Sequence, residues 1–223
     1  MKNFIKTIMP LALIMILMVF FSMPVNGSNS SNGKQYVDLG LPSGTLWATM
    51  NVGASRPEDY GSYFAWGETS PKQVYSWGTY KWCNGDFDKL TKYCTKSRFG
   101  NVDNKTELDL SDDAAYVNWG SGWRMPSQAQ LSELQTECTW QLTSRNGVKG
   151  YLVSSKRNSN SLFLPAAGRR TSSLEYTGYY GGYYSRTVRT DHPDEAIILH
   201  FSSVELFWLN CRYIGLSVRA VRR

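Results

Sequence analysis

Residues 112–134, DDAAYVNWGSGWRMPSQAQLSEL, carry the start signals of two helices and the turn between them. Ser111 or Asp112 can cap a first helix that continues through an Ala-Ala-Tyr-Val run. Gly120 and Gly122 then end this helix, because glycine enters left-handed turns at little cost. The stretch therefore predicts a short helix followed by a tight turn.

The second helix of this stretch begins after Arg124-Met125-Pro126. Ser127 is followed three residues later by Gln130, which is the pattern of a capping box, in which each side chain satisfies the other residue's free backbone N–H group. The apolar positions that follow are spaced for one buried helix face. These positions are Leu131, Leu134 and Cys138.

Most of the remaining chain gives strand and loop signals, as short β-branched or aromatic runs between Gly, Pro and Asn turns. The predicted strands are Tyr36–Leu39, Leu46–Met50, Tyr151–Ser155, Leu162–Leu164, Gly182–Thr187, Ala196–Phe201, Val204–Trp208 and Leu216–Arg222. Tyr60–Trp66 is aromatic and extended, and residues 71–110 are expected to form surface loops. The pattern predicts an α+β fold.

The N-terminal residues 1–27 have the composition of a signal peptide. Lys2 and Lys6 precede an uninterrupted apolar run, Leu11–Phe21, and small residues before Ser28 offer a cleavage site. A transmembrane anchor would need about 20 apolar residues, and this run is shorter. We therefore expect an exported protein with no membrane span after signal removal.

Residues 28–35 are polar and predict a linker, and residues 36–223 are long enough for one compact domain. The formal net charge is +6, and it falls to +4 once Lys2 and Lys6 are removed. Such a mild excess, with its arginines dispersed, is not the footprint of a nucleic-acid binder. The aromatic share of 14% is high and indicates a loop-rich domain with aromatic packing.

Three stretches resemble the Fibrobacter succinogenes major paralogous domain family of exported bacterial domains. They are VDLGLPSGTLWATMNVGA (37–54), YGSYFAWGE (60–68) and WGSGWRMPSQAQLSEL (119–134). The last stretch is also similar to the formylglycine-generating and sulfatase-modifying fold, a branch of the C-type-lectin-like superfamily. Its structural core motif consists of Trp119, Gly122, Trp123, Arg124, Pro126 and Ser127.

This resemblance covers roughly residues 36–223 and implies a C-type-lectin-like fold in a Bacteroidota-type bacterium. In that fold a small twisted antiparallel sheet and two short helices carry long loops, and the first and last strands pair. The protein would lie in the periplasm, on the outer surface or outside the cell.

Four cysteines, Cys83, Cys94, Cys138 and Cys211, stand in a chain expected to be exported. Export permits disulfides, and Cys83 and Cys94 bracket a loop of suitable length, so they form the candidate pair. The alternative is that all four are free thiols that pack as small apolar side chains.

Catalysis finds little support in the residue pattern. The only histidines are His192 and His200, and neither lies in a G-x-S-x-G or H-E-x-x-H motif. The paired cysteines of the formylglycine-generating enzymes are not recognisable at Cys138 or Cys211. The remaining carboxylates that could act as acid or base have no distinguishing context, and we expect no enzyme. These carboxylates are Glu68, Asp191, Asp194, Glu195 and Glu205.

Calcium is a minority alternative, and no other cofactor is expected. A cluster of oxygen-bearing side chains precedes the first helix, although the spacing of an EF-hand is absent. The helix N-terminus explains the last two carboxylates equally well. The cluster consists of Asp103, Asn104, Glu107, Asp109, Asp112 and Asp113.

The sequence GYYGGYY at 178–184 places four tyrosines close together. Aromatic faces stack on sugars and anchor protein interfaces. Strand residues alternate between the two faces of a sheet, so we expect at least two of the four tyrosines in the core. The four are Tyr179, Tyr180, Tyr183 and Tyr184.

The segment 185–213 departs most from the family pattern, while its flanks keep it. Flanks that match the family, around positions whose side chains vary widely in type, are typical of binding loops. Ordinary sequence drift combined with burial of these side chains is an equal alternative. The resulting ligand-binding hypothesis comprises Arg186, Val188, Arg189, His192, Phe207, Trp208, Leu209 and Ile214.

Together these observations predict an exported, non-catalytic module that binds a protein or a glycan at a cell surface through its C-terminal loops. One alternative is a structural component of the cell envelope or of a surface appendage. Another is a variable target protein of a diversity-generating retroelement, because the C-type-lectin-like fold serves in that role.

Overall fold

The computed structural model describes residues 28–31, 33–202 and 211–223. Its regular elements confirm the α+β class, and no helix within these residues is long and apolar enough to cross a membrane. The helices are α1 (Ala114–Trp119) and α2 (Gln128–Glu137). The strands are β1 (Ser28–Ser31), β2 (Lys34–Asp38), β3 (Leu46–Ala48), β4 (Cys138–Arg145), β5 (Val148–Ser155), β6 (Ser161–Pro165), β7 (Arg169–Arg170), β8 (Leu174–Glu175), β9 (Tyr180–Val188), β10 (Ala196–Ser202) and β11 (Val221–Arg222).

The strands form small antiparallel sheets, in the orders β1-β2-β3-β11, β4-β5-β6, β9-β10 and β7-β8. The expected pairing of the first and last predicted strands is wrong. The last strand pairs with β3, where Val221 lies opposite Trp47. Both edges of β2 are already occupied, by β1 and β3, so the outer edge of β3 is the one left for β11.

The segment 28–35, predicted as a linker, is not free along its length. Ser28–Ser31 forms β1 and pairs with β2 in a register that runs from Ser28 opposite Val37 to Ser31 opposite Lys34. This pairing uses backbone groups, so it needs no apolar side chains, and polarity alone did not reveal it.

The first helix begins one residue later than either predicted cap. Asp113, not Ser111 or Asp112, is the N-cap of α1, and its carboxylate accepts hydrogen bonds from the N–H groups of Ala115 and Tyr116, both at 3.0 Å. Asp112 belongs instead to a single 3₁₀ turn, Leu110–Asp112.

The other predicted features of this stretch are confirmed. Gly120 and Gly122 have φ angles of 87° and 98°, the left-handed region that favours glycine. Ser127 caps α2, with Gln130 completing the capping box. The apolar face of the helix is buried at Leu131 and Leu134, whereas Cys138, expected on the same face, is buried as the first residue of β4.

Asp113 also holds the turn that separates the two helices. Its carboxylate accepts a hydrogen bond of 2.8 Å from Nε of Arg124 and one of 3.0 Å from the N–H group of Met125. The side chain is fully buried. A buried carboxylate is tolerated because a cation and several N–H donors surround it. The order Arg124-Met125 therefore has a physical basis, since both residues bind the cap of the preceding helix.

Most predicted strands are found with shifted ends, and four strands, β1, β4, β7 and β8, were not predicted. Leu216–Arg222 is strand only at Val221–Arg222, while Leu216 and Ser217 form isolated bridges. Strand β4 had not been predicted, although it is joined to β5 by a tight turn at Asn146-Gly147, whose φ angles are both positive. The predicted strand Val204–Trp208 lies outside the described residues.

Residues 71–110 contain no strand or α-helix of their own, as expected, but they do more than cover the surface. They bury a separate small core, in which Tyr63 and Ala65 take part, and they contain the 3₁₀ turns Trp77–Thr79 and Ser97–Phe99. The buried members from this segment are Tyr75, Tyr80, Cys83, Leu90, Cys94 and Phe99.

The remaining core is built around the turn motif and the second helix. Trp123 and Met125 pack in one cluster with Trp66 and Tyr184. Leu131 and Leu134 of α2 pack in a second cluster against β2, β5 and β6. Half of the motif therefore lies in the core, since Trp119, Trp123 and Pro126 are buried, while Arg124 and Ser127 are half-buried and Gly122 is exposed.

We expect Asp113→Asn to lower the free energy of unfolding by about 1.5–3 kcal/mol, the contribution of a hydrogen bond to a charged group. The asparagine oxygen can still cap α1, but its NH₂ group would face the Arg124 guanidinium, whose side chain is 33% exposed, in place of a carboxylate. Urea unfolding followed by far-UV circular dichroism measures the change.

Asp109→Asn is the matched control, because Asp109 also pairs with cations but its side chain is 39% exposed. Its removal should cost less than about 1 kcal/mol. Equal effects of the two substitutions would show that Asp113 has no special part in holding the turn.

Candidate functional site

An open groove of about 300 Å³ lies beside the hairpin of β4 and β5. Its apolar lining consists of Leu142, Tyr151, Ala166, Gly178, Tyr179 and Phe201, and its polar lining consists of Thr143, Ser144 and Lys149. We call this surface the aromatic groove. It is the candidate site because exposed aromatic and apolar groups meet there.

Tyr179 is held out on a tight turn between β8 and β9. Gly178 has a φ angle of 78°, and its N–H group donates to the carbonyl of Ala166 at 2.8 Å. The N–H group of Tyr179 donates to the carbonyl of Tyr176 at 3.1 Å. The Tyr179 side chain is 53% exposed, an unusual position for so large an aromatic group.

The other three tyrosines of the GYYGGYY sequence are buried, which confirms that at least two belong to the core. Tyr183 donates to the carbonyl of Pro165, and Tyr184 donates to the carbonyls of Cys211 and Ile214. Burial raises the pKa of each phenol above its ordinary value, including that of Tyr180.

Phe201 fixes the inner end of the groove. It lies opposite Gly181 in the β9–β10 pair, and its ring covers the glycine so closely that an added Cβ would be 2.2 Å from Cζ. The ring of Tyr151 is 4.8 Å away, with the Trp140 ring behind it at 6.3 Å from Phe201. The apolar end of the groove is therefore a packed aromatic cluster.

Polar groups stand at the rim of the groove. Lys149 Nζ lies 5.3 Å from the centroid of the Tyr179 ring, at a distance where a cation is attracted to the aromatic face. Within the described part of the chain, the hydroxyl groups of Thr143, Ser144, Tyr151 and Tyr179 have no side-chain hydrogen-bond partner. Since no described residue occupies them, a ligand can bond to them.

This combination suits a small polar ligand with one apolar face. An exposed aromatic ring stacks against the C–H face of a sugar, and free hydroxyl groups exchange hydrogen bonds with sugar hydroxyls. The groove is at the lower end of the volume range of ligand sites, which begins at about 300 Å³, and it is open rather than enclosed.

The predicted ligand-binding residues do not form one site. Val188 and Ile214 are each 1% exposed and belong to the core, so their assignment to a binding surface is wrong. Their apolar character is explained by packing. Phe207, Trp208 and Leu209 lie outside the described residues.

Arg189 and His192 lie on a charged loop that is separate from the aromatic groove. Arg189 donates hydrogen bonds to the carboxylates of Asp191 and Glu195, and its Nη1 atom is 2.7 Å from Oε2 of Glu195. His192 Nδ1 is 3.7 Å from Asp194, whose pKa is raised by burial. Arg186 binds Glu107 and lines a different groove, described below.

The oxygen-bearing side chains proposed as calcium ligands form hydrogen bonds and ion pairs within the protein. Asp103 accepts from the N–H groups of Tyr93 and Cys94, and Asp112 accepts from Lys92. Lys105 and Lys92 hold the pKa of Asp109 down at about 2. Across the described residues no group of three or more His, Cys, Asp or Glu side chains could hold a metal ion.

The candidate disulfide between Cys83 and Cys94 is absent, and all four cysteines are free. The thiol of Cys83 contacts the carbonyl of Trp77 at 3.2 Å, and that of Cys94 contacts the carbonyl of Lys96 at 3.1 Å. Each sulfur therefore has its own backbone acceptor. Burial raises the pKa of Cys138 and of Cys211 to about 11.

The β4 side of the groove was missed because β4 was missed. The signal was present: Asn146-Gly147 between runs of alternating residues is the strongest short-range sign of a hairpin. It would have placed Leu142, Thr143 and Lys149 on paired strands. The exposure of Tyr179 had no such local signal.

Comparisons of the chain with protein-family models, with curated proteins and with solved structures found no match.

Because each sulfur is a free thiol, we expect four alkyl groups on the unfolded protein when iodoacetamide is added without a reductant. In the folded protein at pH 8, a thiol with a pKa of about 11 is thiolate in about one molecule per thousand, against about one in four for an ordinary thiol. Cys211 should therefore react slowly, and its rate should rise about tenfold per pH unit.

Intact-mass spectrometry counts the groups added, and peptide mapping assigns the slow site. Two alkyl groups on the unfolded protein, in place of four, would reveal a disulfide and contradict the free thiols.

Proposed function

We propose that the protein is an exported, non-catalytic recognition module that binds a glycan in the aromatic groove. The observation that carries this proposal is the exposed Tyr179 ring, held on a rigid turn above an aromatic floor and beside hydroxyl groups that have no partner within the described residues. A protein is the alternative ligand for the same groove, since exposed tyrosines also anchor protein interfaces.

The resemblance to the Fibrobacter succinogenes major paralogous domain family supports this role, as does the signal-like N-terminus. A C-type-lectin-like framework that presents loops to the outside would place the groove where ligands of the cell surface are met. The location we propose is the periplasm, the outer surface or the medium.

A catalytic role has weaker support. A nucleophilic cysteine needs a lowered pKa, and those of Cys138 and Cys211 are raised to about 11. The carboxylates of Glu68 and Glu195 are engaged by Lys72 and Arg189. These contacts favour binding over chemistry.

The two alternative functions, a structural envelope component and a variable target protein of a diversity-generating retroelement, require different surfaces. A structural envelope component would need no ligand in the groove. A diversified loop would place its variable side chains at the surface, and the burial of Val188 and Ile214 weakens that alternative.

The test is a glycan array of neutral oligosaccharides, followed by titration calorimetry of any glycan retained. We expect Tyr179→Ala to weaken binding about tenfold, the equivalent of ~1.4 kcal/mol, because it removes the stacking face. Calcium and a chelator should give the same affinity.

Tyr176→Ala is the matched control, since Tyr176 is 41% exposed on the same turn and is not among the residues that line the groove. It should bind as the native protein does. Absence of any retained glycan would favour the structural role, and equal losses in both variants would move the site away from the groove.

A further inference from the structure

A second groove, of about 380 Å³, lies where the turn motif meets the last strand. Its polar lining comes from the turn, the first part of α2, β9 and the C-terminal residues: Arg124, Gln130, Arg186, Arg222 and Arg223. We call it the arginine groove. None of the predicted functions uses it.

Two of its guanidinium groups are fixed in place by the protein. Arg124 donates through Nε to Asp113 and through Nη2 to the carbonyl of Leu108. Arg186 donates through Nε to Glu107 and through Nη1 to the carbonyl of Met125. Each arginine thus keeps one terminal nitrogen, Nη1 of Arg124 and Nη2 of Arg186, with no intramolecular acceptor among the described residues.

Arg222 is held by aromatic rings instead of by an acid. Its Cζ atom lies 4.9 Å from the ring centroid of Tyr36 and 5.6 Å from that of Trp123. Its Nε atom is buried and has no hydrogen-bond partner among the described residues. A buried N–H group without an acceptor is uncommon in proteins.

The charges in the groove do not balance. Its four arginines have two ion-pair partners, since Arg124 pairs with Asp113 and Arg186 pairs with Glu107. Within the described residues Arg222 and Arg223 form no ion pair. Positive groups with free N–H donors that face one groove favour an anion with several acceptor oxygens.

We propose that the arginine groove binds the carboxylate group of an acidic sugar. A carboxylate matches the planar fork of a guanidinium group and accepts two parallel hydrogen bonds from it. Apart from Gly122 and Val221 the lining is polar, which suits a hydroxyl-rich ligand better than a peptide whose side chains need apolar pockets.

The probe is trigalacturonate, titrated into the purified protein by calorimetry, with its methyl ester as the uncharged counterpart. We expect saturable binding that is at least tenfold weaker for the ester and that weakens as salt is raised. Arg222→Gln should weaken binding at least tenfold, and Arg223→Gln, at an exposed position that cannot disturb the fold, should weaken it severalfold.

Arg157→Gln is the matched control, since Arg157 is an exposed arginine outside the groove that pairs with Glu137. It and Tyr179→Ala should bind trigalacturonate as the native protein does, which separates this site from the aromatic groove. Equal binding of the ester, unchanged binding by both Arg222→Gln and Arg223→Gln, or no saturable binding would overturn the proposal. Tighter binding of triglutamate would overturn its assignment to a sugar.

Discussion

The guanidinium group of Arg212 is fully buried, and within the described residues it forms no ion pair. It donates instead to the carbonyls of Lys92, Tyr93 and Pro193 and to the hydroxyl group of Tyr80, at 2.8–3.2 Å. Loops packed inside a protein carry backbone carbonyls that no helix or strand satisfies. One arginine meets that requirement for two chain segments, residues 92–93 and Pro193, and its bond to the Tyr80 hydroxyl group joins a third segment to them.

Arg219 plays the same part at the other end of the core. It donates to the carbonyls of Ala48 and Phe163 and to the side-chain oxygen of Asn51. Burial lowers its pKa to about 10, which still leaves it charged at neutral pH. The C-terminal segment therefore acts as a set of internal donors that join the sheets, and its residues are constrained by packing before any ligand is considered.

This constraint explains how binding surfaces are distributed over the molecule. Where the C-terminal segment and its neighbours pack inward, as at Val188, they cannot contact a ligand. Among the described residues, the two grooves for which we propose binding are the aromatic groove at Tyr179 and the arginine groove at Arg222, which differ in chemistry and lie on different elements.

The sequence by itself determined the features that depend on near neighbours. The capping box of Ser127 and Gln130 could be predicted because each side chain accepts a hydrogen bond from the other residue's backbone N–H group within one helical turn. Tertiary structure decided the rest. Asp113 is the true cap because Arg124 reaches it from beyond the turn, and of four adjacent tyrosines only Tyr179 is exposed. Burial is set by which distant segment packs against a residue, and spacing along the chain carries no record of that.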